Sequence, residues 1–299
     1  MFYGVLDSST TVTFASGEIE RESTIIALAE YEHHLAIFTP ETPFHPVDYN
    51  WPDHPADKGM IVIGESDKQI VINCLVAAFN KQSGELYFDQ HIPVKRNTEG
   101  WIFLVAHILE KENAIESYKN WLGKQVNLFV DQDYRTALSK GHTLCHLAAL
   151  ALNKETRHLW QKEIKELDSL GNIDFDALAC QSSMVCQNGS SDTYRLGKSL
   201  KKKGFNKELL HEQLAEIEEN IKSRVFLWAN KTLYPQMTPA ITRLDELREW
   251  SCTLPDGIAK IKCGGAHVQT LLIKNKDELD LRLTLNEDKD TLAMRCSLR

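Results

Sequence analysis

Residues 125–153 read QVNLFVDQDYRTALSKGHTLCHLAALALN, and this stretch decides the fold. It opens with a strand-like alternation and passes into a helix that Asp131 or Asp133 can start, because a short carboxylate accepts from the unpaired amides of a first helical turn. From Tyr134 to Asn153 the apolar residues Leu138, Leu144, Leu147, Leu150 and Ala151 keep helical spacing. The preceding segment EKENAIESYKNWLGK, residues 110–124, is polar and closes on a glycine, and the domain boundary is placed there, between residues 1–124 and 125–299.

Upstream, from Thr24 to about Leu109, short apolar runs such as LAIFTP, MIVIGE, QIVINCLVAAF and GWIFLVAHIL are divided by proline-, glycine- and asparagine-rich stretches. The expectation is a β-rich, barrel-like amino-terminal domain. Downstream, TRHLWQKEIKEL is expected to extend the helix or to begin a second one. NKELLHEQLAEIEENIKSRVFLWANK carries Leu210, Leu214, Ile217, Ile221 and Val225 at three- and four-residue spacing, which predicts a third helix. HVQTLLIK and DLRLTLN read as strands, so the whole chain is expected to be α+β.

The chain has 299 residues, 42% of them hydrophobic, enough to bury more than one core. Its 34 lysines and arginines face 42 aspartates and glutamates, and a net charge of -8 argues against indiscriminate nucleic-acid binding. Any RNA contact must be local. No basic region followed by an apolar run opens the sequence, and no stretch approaches a membrane span, so a cytoplasmic protein with no membrane partner is expected. Seven scattered cysteines, an odd number in a long chain, read as reduced thiols available to a metal.

His142 and His146 stand four residues apart, which on a helix puts both rings on one face. Taken alone, such a pair is more often two histidines with ordinary hydrogen bonds. The helical zinc-protease pattern is excluded because Thr143 stands where that motif needs a glutamate. Cys263 and His267 are again four apart, around two glycines that allow a tight turn. Three imidazoles and one thiolate suit tetrahedral Zn2+. Either all four bind, or one binds loosely and leaves a position for water.

Arg195, Lys198, Lys201, Lys202 and Lys203 form a basic run with no intervening acid in a chain that is acidic elsewhere. Such a run can neutralise several phosphates of an RNA; the plainer alternative is a solvated surface.

VDQDYRTALSKGHTLCHLAALAL and CGGAHV together resemble the editing domain of alanyl-tRNA synthetase and its free-standing AlaX-type relatives. The first is similar to that family's strand, arginine-bearing helix start and His-Thr-x-x-His-Leu core, the second to its Cys-Gly-Gly-Thr-His-Val. Upstream, TPFHPVDYNWPDHPADKG resembles the family's amino-terminal turn through Phe44, Pro46, Asp57 and Gly59, with VDYNWPDHP replacing adjacent glycines. QSSMV stands where the family has a short Gly-Ser strand lining the amino-acid pocket, and AEIEENIKSRV resembles the glutamate-rich helix that follows. Ala266 replaces the family's threonine.

The resemblance implies a zinc-dependent deacylase acting in trans on the acceptor end of mischarged tRNA. The expected substrate is seryl- or glycyl-tRNA for alanine. The physical need is that a synthetase pocket built for alanine discriminates weakly against close neighbours. It also implies Thr143 beside the first histidine as a residue orienting water or a substrate serine, and Ser183 as a pocket residue; these are the candidate catalytic residues. Thr143 has a simpler reading, a helix threonine bonded back to a carbonyl. The alternatives are a zinc hydrolase acting on another small ester, a catalytically idle RNA-binding relative with structural zinc, and an editing activity on threonine tRNA charged with serine.

Overall fold

A computed structural model describes residues 1–50 and 52–299. The protein is α+β, and it divides into two compact units. The first comprises Met1–Arg135 with Pro239–Arg248, the second Thr136–Thr238 with Glu249–Arg299.

Among the described residues, the first unit contains twelve strands: β1 (Phe2–Gly4), β2 (Thr11–Val12), β3 (Glu20–Thr24), β4 (Ala27–Tyr31), β5 (His34–Phe38), β6 (Glu41–Thr42), β7 (Gly59–Ile63), β8 (Asp67–Val71), β9 (Asn73–Asn80), β10 (Leu86–Phe88), β11 (Trp101–Glu110) and β12 (Gln125–Val130). An antiparallel six-stranded sheet runs β1-β4-β5-β11-β9-β10, curled as a half-barrel, and a second sheet runs β3-β12-β7-β8. The alternation of side chains along a strand explains the near-continuous apolar run of β11. Phe103, Val105 and Leu109 enter one core with Leu35, Ile37, Val76, Ile61, Val126 and Leu128. Ile102, Leu104, Ala106 and Ile108 enter another with Ala36, Phe38, Leu75 and Ala77. Both faces of the sheet centre are therefore buried.

Strand β12, expected to open the second domain, instead pairs with β3 and β7 of the first unit. Its inward residues Val126, Leu128 and Val130 complete the first unit's core, which moves the division about ten residues later than the expected boundary. Segment 239–248 also returns to this unit, where Ile241 and Leu244 are buried and Val12 donates its N–H to the Thr242 carbonyl. Trp51, in the stretch that resembles the family's glycine turn, lies outside the described residues.

Helix α1 (Gln132–Glu155) starts as the alternation predicts. Asp131 is its cap, accepting the Tyr134 N–H at 2.9 Å on Oδ1. The second unit continues with α2 (Phe175–Ala179), β13 (Cys180–Cys186), β14 (Gly189–Arg195), α3 (Lys198–Lys202), α4 (Lys207–Glu212) and α5 (Leu214–Ala229), followed by β15 (Gln236–Thr238), β16 (Glu249–Leu254), β17 (Gly257–Lys262), β18 (Leu279–Leu285) and β19 (Thr291–Leu298). The sheets are β13-β14-β19-β18 and β15-β16-β17. Leu144, Leu147 and Leu150 of α1 meet Ile217, Ile221, Val225 and Trp228 of α5 and the inward residues of β18 and β19 in a single core.

Two helical expectations differ from the structure. After a 3-10 turn at Arg157–Leu159 the chain does not form a second helix. Trp160 bridges to Phe205, and the Gln161 N–H donates to the Gly204 carbonyl, so tertiary pairing overrides the local periodicity. The third helix is divided into α4 and α5 at Gln213, whose side-chain carbonyl meets His158 Nε2 at 2.8 Å. Among the described residues, no helix is long and apolar enough to cross a membrane.

Candidate metal centre

Helix α1 supplies His142 and His146, and the loop after β17 supplies Cys263 and His267. One ligand atom from each lies within 4.8 Å of all the others. Helix α1 also packs closely on the β13–β14 hairpin, and where it does so it carries a glycine. A Cβ on Gly141 would stand 2.2 Å from the Cys186 carbonyl oxygen and 2.5 Å from that of Gly189. The next residue is His142.

The thiol of Cys263 is the centre of the group. Its Sγ lies 3.4 Å from His142 Nε2 and 3.3 Å from His267 Nε2, and the Gly265 N–H donates to it at 3.4 Å. A tetrahedral ion with metal–sulfur and metal–nitrogen bonds of about 2.3 and about 2.0 Å would set sulfur–nitrogen edges of about 3.5 Å. The observed edges fall close to that value. A single thiol carries one hydrogen, so it can satisfy only one of two converging imidazole nitrogens as a donor. A shared cation satisfies both together with the sulfur.

His146 adds a second test of fit. Its Nε2 is buried and has no hydrogen-bond partner within the protein, and burial pushes its pKa down to about 3. The ring is thus neutral at pH 7, the form that ligates a metal. Trp250, fully buried, lies edge-on to it at 5.1 Å, while the His267 ring stacks on both His142 and His146. The donor set fits a metal ion and is compatible with zinc.

Thr143, fully buried, donates its hydroxyl to the Ser139 carbonyl at 2.9 Å and meets His267 Nδ1 at 3.1 Å. The back-bonded helix threonine is therefore present, with an added contact to His267. Ser183 on β13 is half-buried and donates to Asp192 Oδ1 at 2.6 Å. Asp192 on β14 also accepts from Ser190 Oγ at 3.0 Å and from the Cys145 thiol at 3.6 Å, which joins Ser183 to α1 one residue before His146. Burial raises the pKa of Asp192 and, farther, that of the Cys145 thiol. Asp192 was not singled out from the sequence. The signal lay in the alternation of β14, where Ser190, Asp192 and Tyr194 all point inward and two of the three are small or charged.

Of the basic run, Arg195, Lys198, Lys201 and Lys202 are exposed at the end of β14 and on α3. Lys203 differs, because its ammonium is paired with Glu166 at 2.5 Å. Lys162, outside the run, joins it by donating to the Lys202 carbonyl at 2.9 Å. Searches against protein-family models and against curated proteins returned no match for the chain.

Proposed function

We propose that the protein is a zinc-dependent deacylase that hydrolyses the ester of mischarged aminoacyl-tRNA in trans, with seryl- or glycyl-tRNA for alanine as substrate. The observation that carries this reading is the convergence of His142, His146, Cys263 and His267, drawn from two motifs 121 residues apart that resemble the same editing family. When bound, zinc would supply Lewis acidity towards an ester carbonyl or a water. The chain's own residues would hold the ion, and burial would keep His146 neutral. Ser183, half-buried beside α1, is the candidate to contact the aminoacyl group. Exposed Arg195, Lys198, Lys201 and Lys202 would receive RNA phosphates.

One observation favours a second reading. Four protein ligand atoms close around the site, and closed four-ligand zinc centres are as a rule structural, whereas catalytic ones keep a position open. On that reading the protein binds zinc and tRNA without cleaving an ester.

The deciding experiment is the rate of release of serine, glycine and alanine from tRNA for alanine by the purified protein, with Cys263→Ala as control. Serine or glycine released, alanine spared and an inactive control would support the deacylase. Bound zinc and bound tRNA with no release would favour the structural reading. Full activity in zinc-free Cys263→Ala protein would remove the metal from the chemistry altogether.

A further inference from the structure

Thr143 sits between the two histidines of α1, yet its hydrogen bonds are committed elsewhere. A hydroxyl has one hydrogen, and a carbonyl oxygen can only accept. The 2.9 Å contact with the Ser139 carbonyl therefore takes the Thr143 hydrogen. What remains on Oγ1 are lone pairs, so the 3.1 Å contact with His267 Nδ1 is a bond donated by the imidazole N–H. The reverse assignment would leave two oxygens facing each other at 2.9 Å with no hydrogen between them. With Nδ1 protonated, Nε2 of a neutral ring carries the lone pair, and this is the nitrogen 3.3 Å from Cys263 Sγ.

We propose that Thr143 is a positioning residue for the metal centre: held by the Ser139 carbonyl, its hydroxyl fixes His267 in the Nδ1–H tautomer and so presents Nε2 to the ion. This inference rests on the four-residue cluster being a metal site. It replaces the role the resemblance implies, because a fully buried hydroxyl whose hydrogen is already donated has none to offer a water or a substrate serine. Outer partners of this kind orient ligating histidines and commonly change metal affinity by about 10- to 100-fold when removed. The carbonyl of one helical turn thus determines which nitrogen of a distant loop histidine is available.

The test uses the full chain and two substitutions, Thr143→Val, which keeps the shape and removes the hydroxyl, and Thr143→Ser, which keeps the hydroxyl. Zinc and cobalt affinities are measured by chelator competition, and the His267 tautomer is read from the nitrogen shifts and long-range couplings of the metal-free protein. The expected result is an Nδ1–H tautomer in the wild type, about 10- to 100-fold weaker metal binding in Thr143→Val, and affinity near wild type in Thr143→Ser. An Nε2–H tautomer in metal-free wild type would overturn the proposal even if Thr143→Val failed to fold. Undiminished affinity in a folded Thr143→Val would overturn it as well, while leaving the metal site standing. Absence of stoichiometric zinc or cobalt binding by the wild type would instead defeat the metal reading itself, and the role of Thr143 with it.

Discussion

Gly141 and Gly189 meet backbone to backbone: a Cβ on Gly141 would lie 2.5 Å from the Gly189 carbonyl oxygen and 2.7 Å from its nitrogen. Two effects of Gly141→Ala oppose each other. Helix propensity alone would favour alanine by about 1 kcal/mol. The new methyl, however, meets backbone atoms that cannot rotate away, and overpacking of this kind costs about 1–3 kcal/mol. The steric term is expected to win, giving a lower urea midpoint and weaker metal binding at the neighbouring His142. A rise in the midpoint would show that α1 can move off the hairpin freely.

Metal binding is expected to stabilise the fold measurably. A ligand at about 100 times its dissociation constant adds about 2.7 kcal/mol, which for a unit of this size raises the melting temperature by about 5–10 °C. Calorimetry with and without excess zinc, after chelation, checks this. The shift should disappear in Cys263→Ala and in His146→Ala. If chelation leaves the melting temperature of the wild type unchanged, no ion of that affinity is held by the cluster.

His107 provides a pH dependence independent of the metal centre. Its Nδ1–H donates to the Ile37 carbonyl at 3.1 Å, so Nε2 accepts the Thr42 hydroxyl at 2.8 Å, and Thr42 Oγ1 in turn accepts the Phe44 N–H. Both ring nitrogens are used by a neutral imidazole, and burial lowers its pKa to about 4. The unfolded chain binds a proton below about 6.5, the folded chain only below about 4. The contribution is therefore present above pH 6.5 and is lost as pH falls towards 4, on the order of 3 kcal/mol in all. Urea midpoints of wild type and His107→Gln across pH 4.5–7.5 should converge on the acid side. A constant difference would mean that His107 does not titrate on unfolding in that window.

Much of the candidate metal site was legible because its signals are local. The four-residue spacing of His142 and His146 needs only a helix, and Asp131 announces where that helix begins. The two pairs share no local signal; Cys263 reaches His142 through the core that α1 shares with β16 and β17, where Trp250 of β16 lies against His146. The missing second helix failed for a similar reason, since nothing near Trp160 records that Phe205 will pair with it. Segment 239–248 was illegible because two buried apolar residues, Ile241 and Leu244, are too few to set a period. The run at Arg195–Lys203 was read as uniform charge, but Glu166, far away in sequence, neutralises its last member.

That neutralisation makes a prediction about RNA. If α3 receives phosphates, Lys198→Ala, Lys201→Ala and Lys202→Ala combined should weaken tRNA binding and reduce the slope of log affinity against log salt by about 2–3, near one per lost contact. Lys203→Ala should leave the slope unchanged, because its charge is already paired. Equal effects from all four lysines in filter-binding titrations would argue for diffuse charge attraction, and no effect from any would leave α3 a solvated surface.

Asp57 and Arg135 form a buried ion pair in the first unit. Both carboxylate oxygens accept from the guanidinium, Asp57 Oδ2 also takes the His45 N–H at 2.6 Å, and Arg135 further donates to the carbonyls of Glu18 and Pro43. Asp57 is 1% exposed and Arg135 7%, so neither charge has water to fall back on. Asp57→Asn would leave the arginine uncompensated, at a loss of about 3–5 kcal/mol, read as a fall in melting temperature of about 10 °C. The physical argument goes further than the single substitution, because removing the charge as well as its partner should restore stability. Asp57→Asn combined with Arg135→Met is therefore expected to be more stable than Asp57→Asn alone, by up to several kcal/mol. Strictly additive losses in the double variant would mean that the bonds from Arg135 to Glu18 and Pro43, and not its charge balance with Asp57, hold this corner of the unit together.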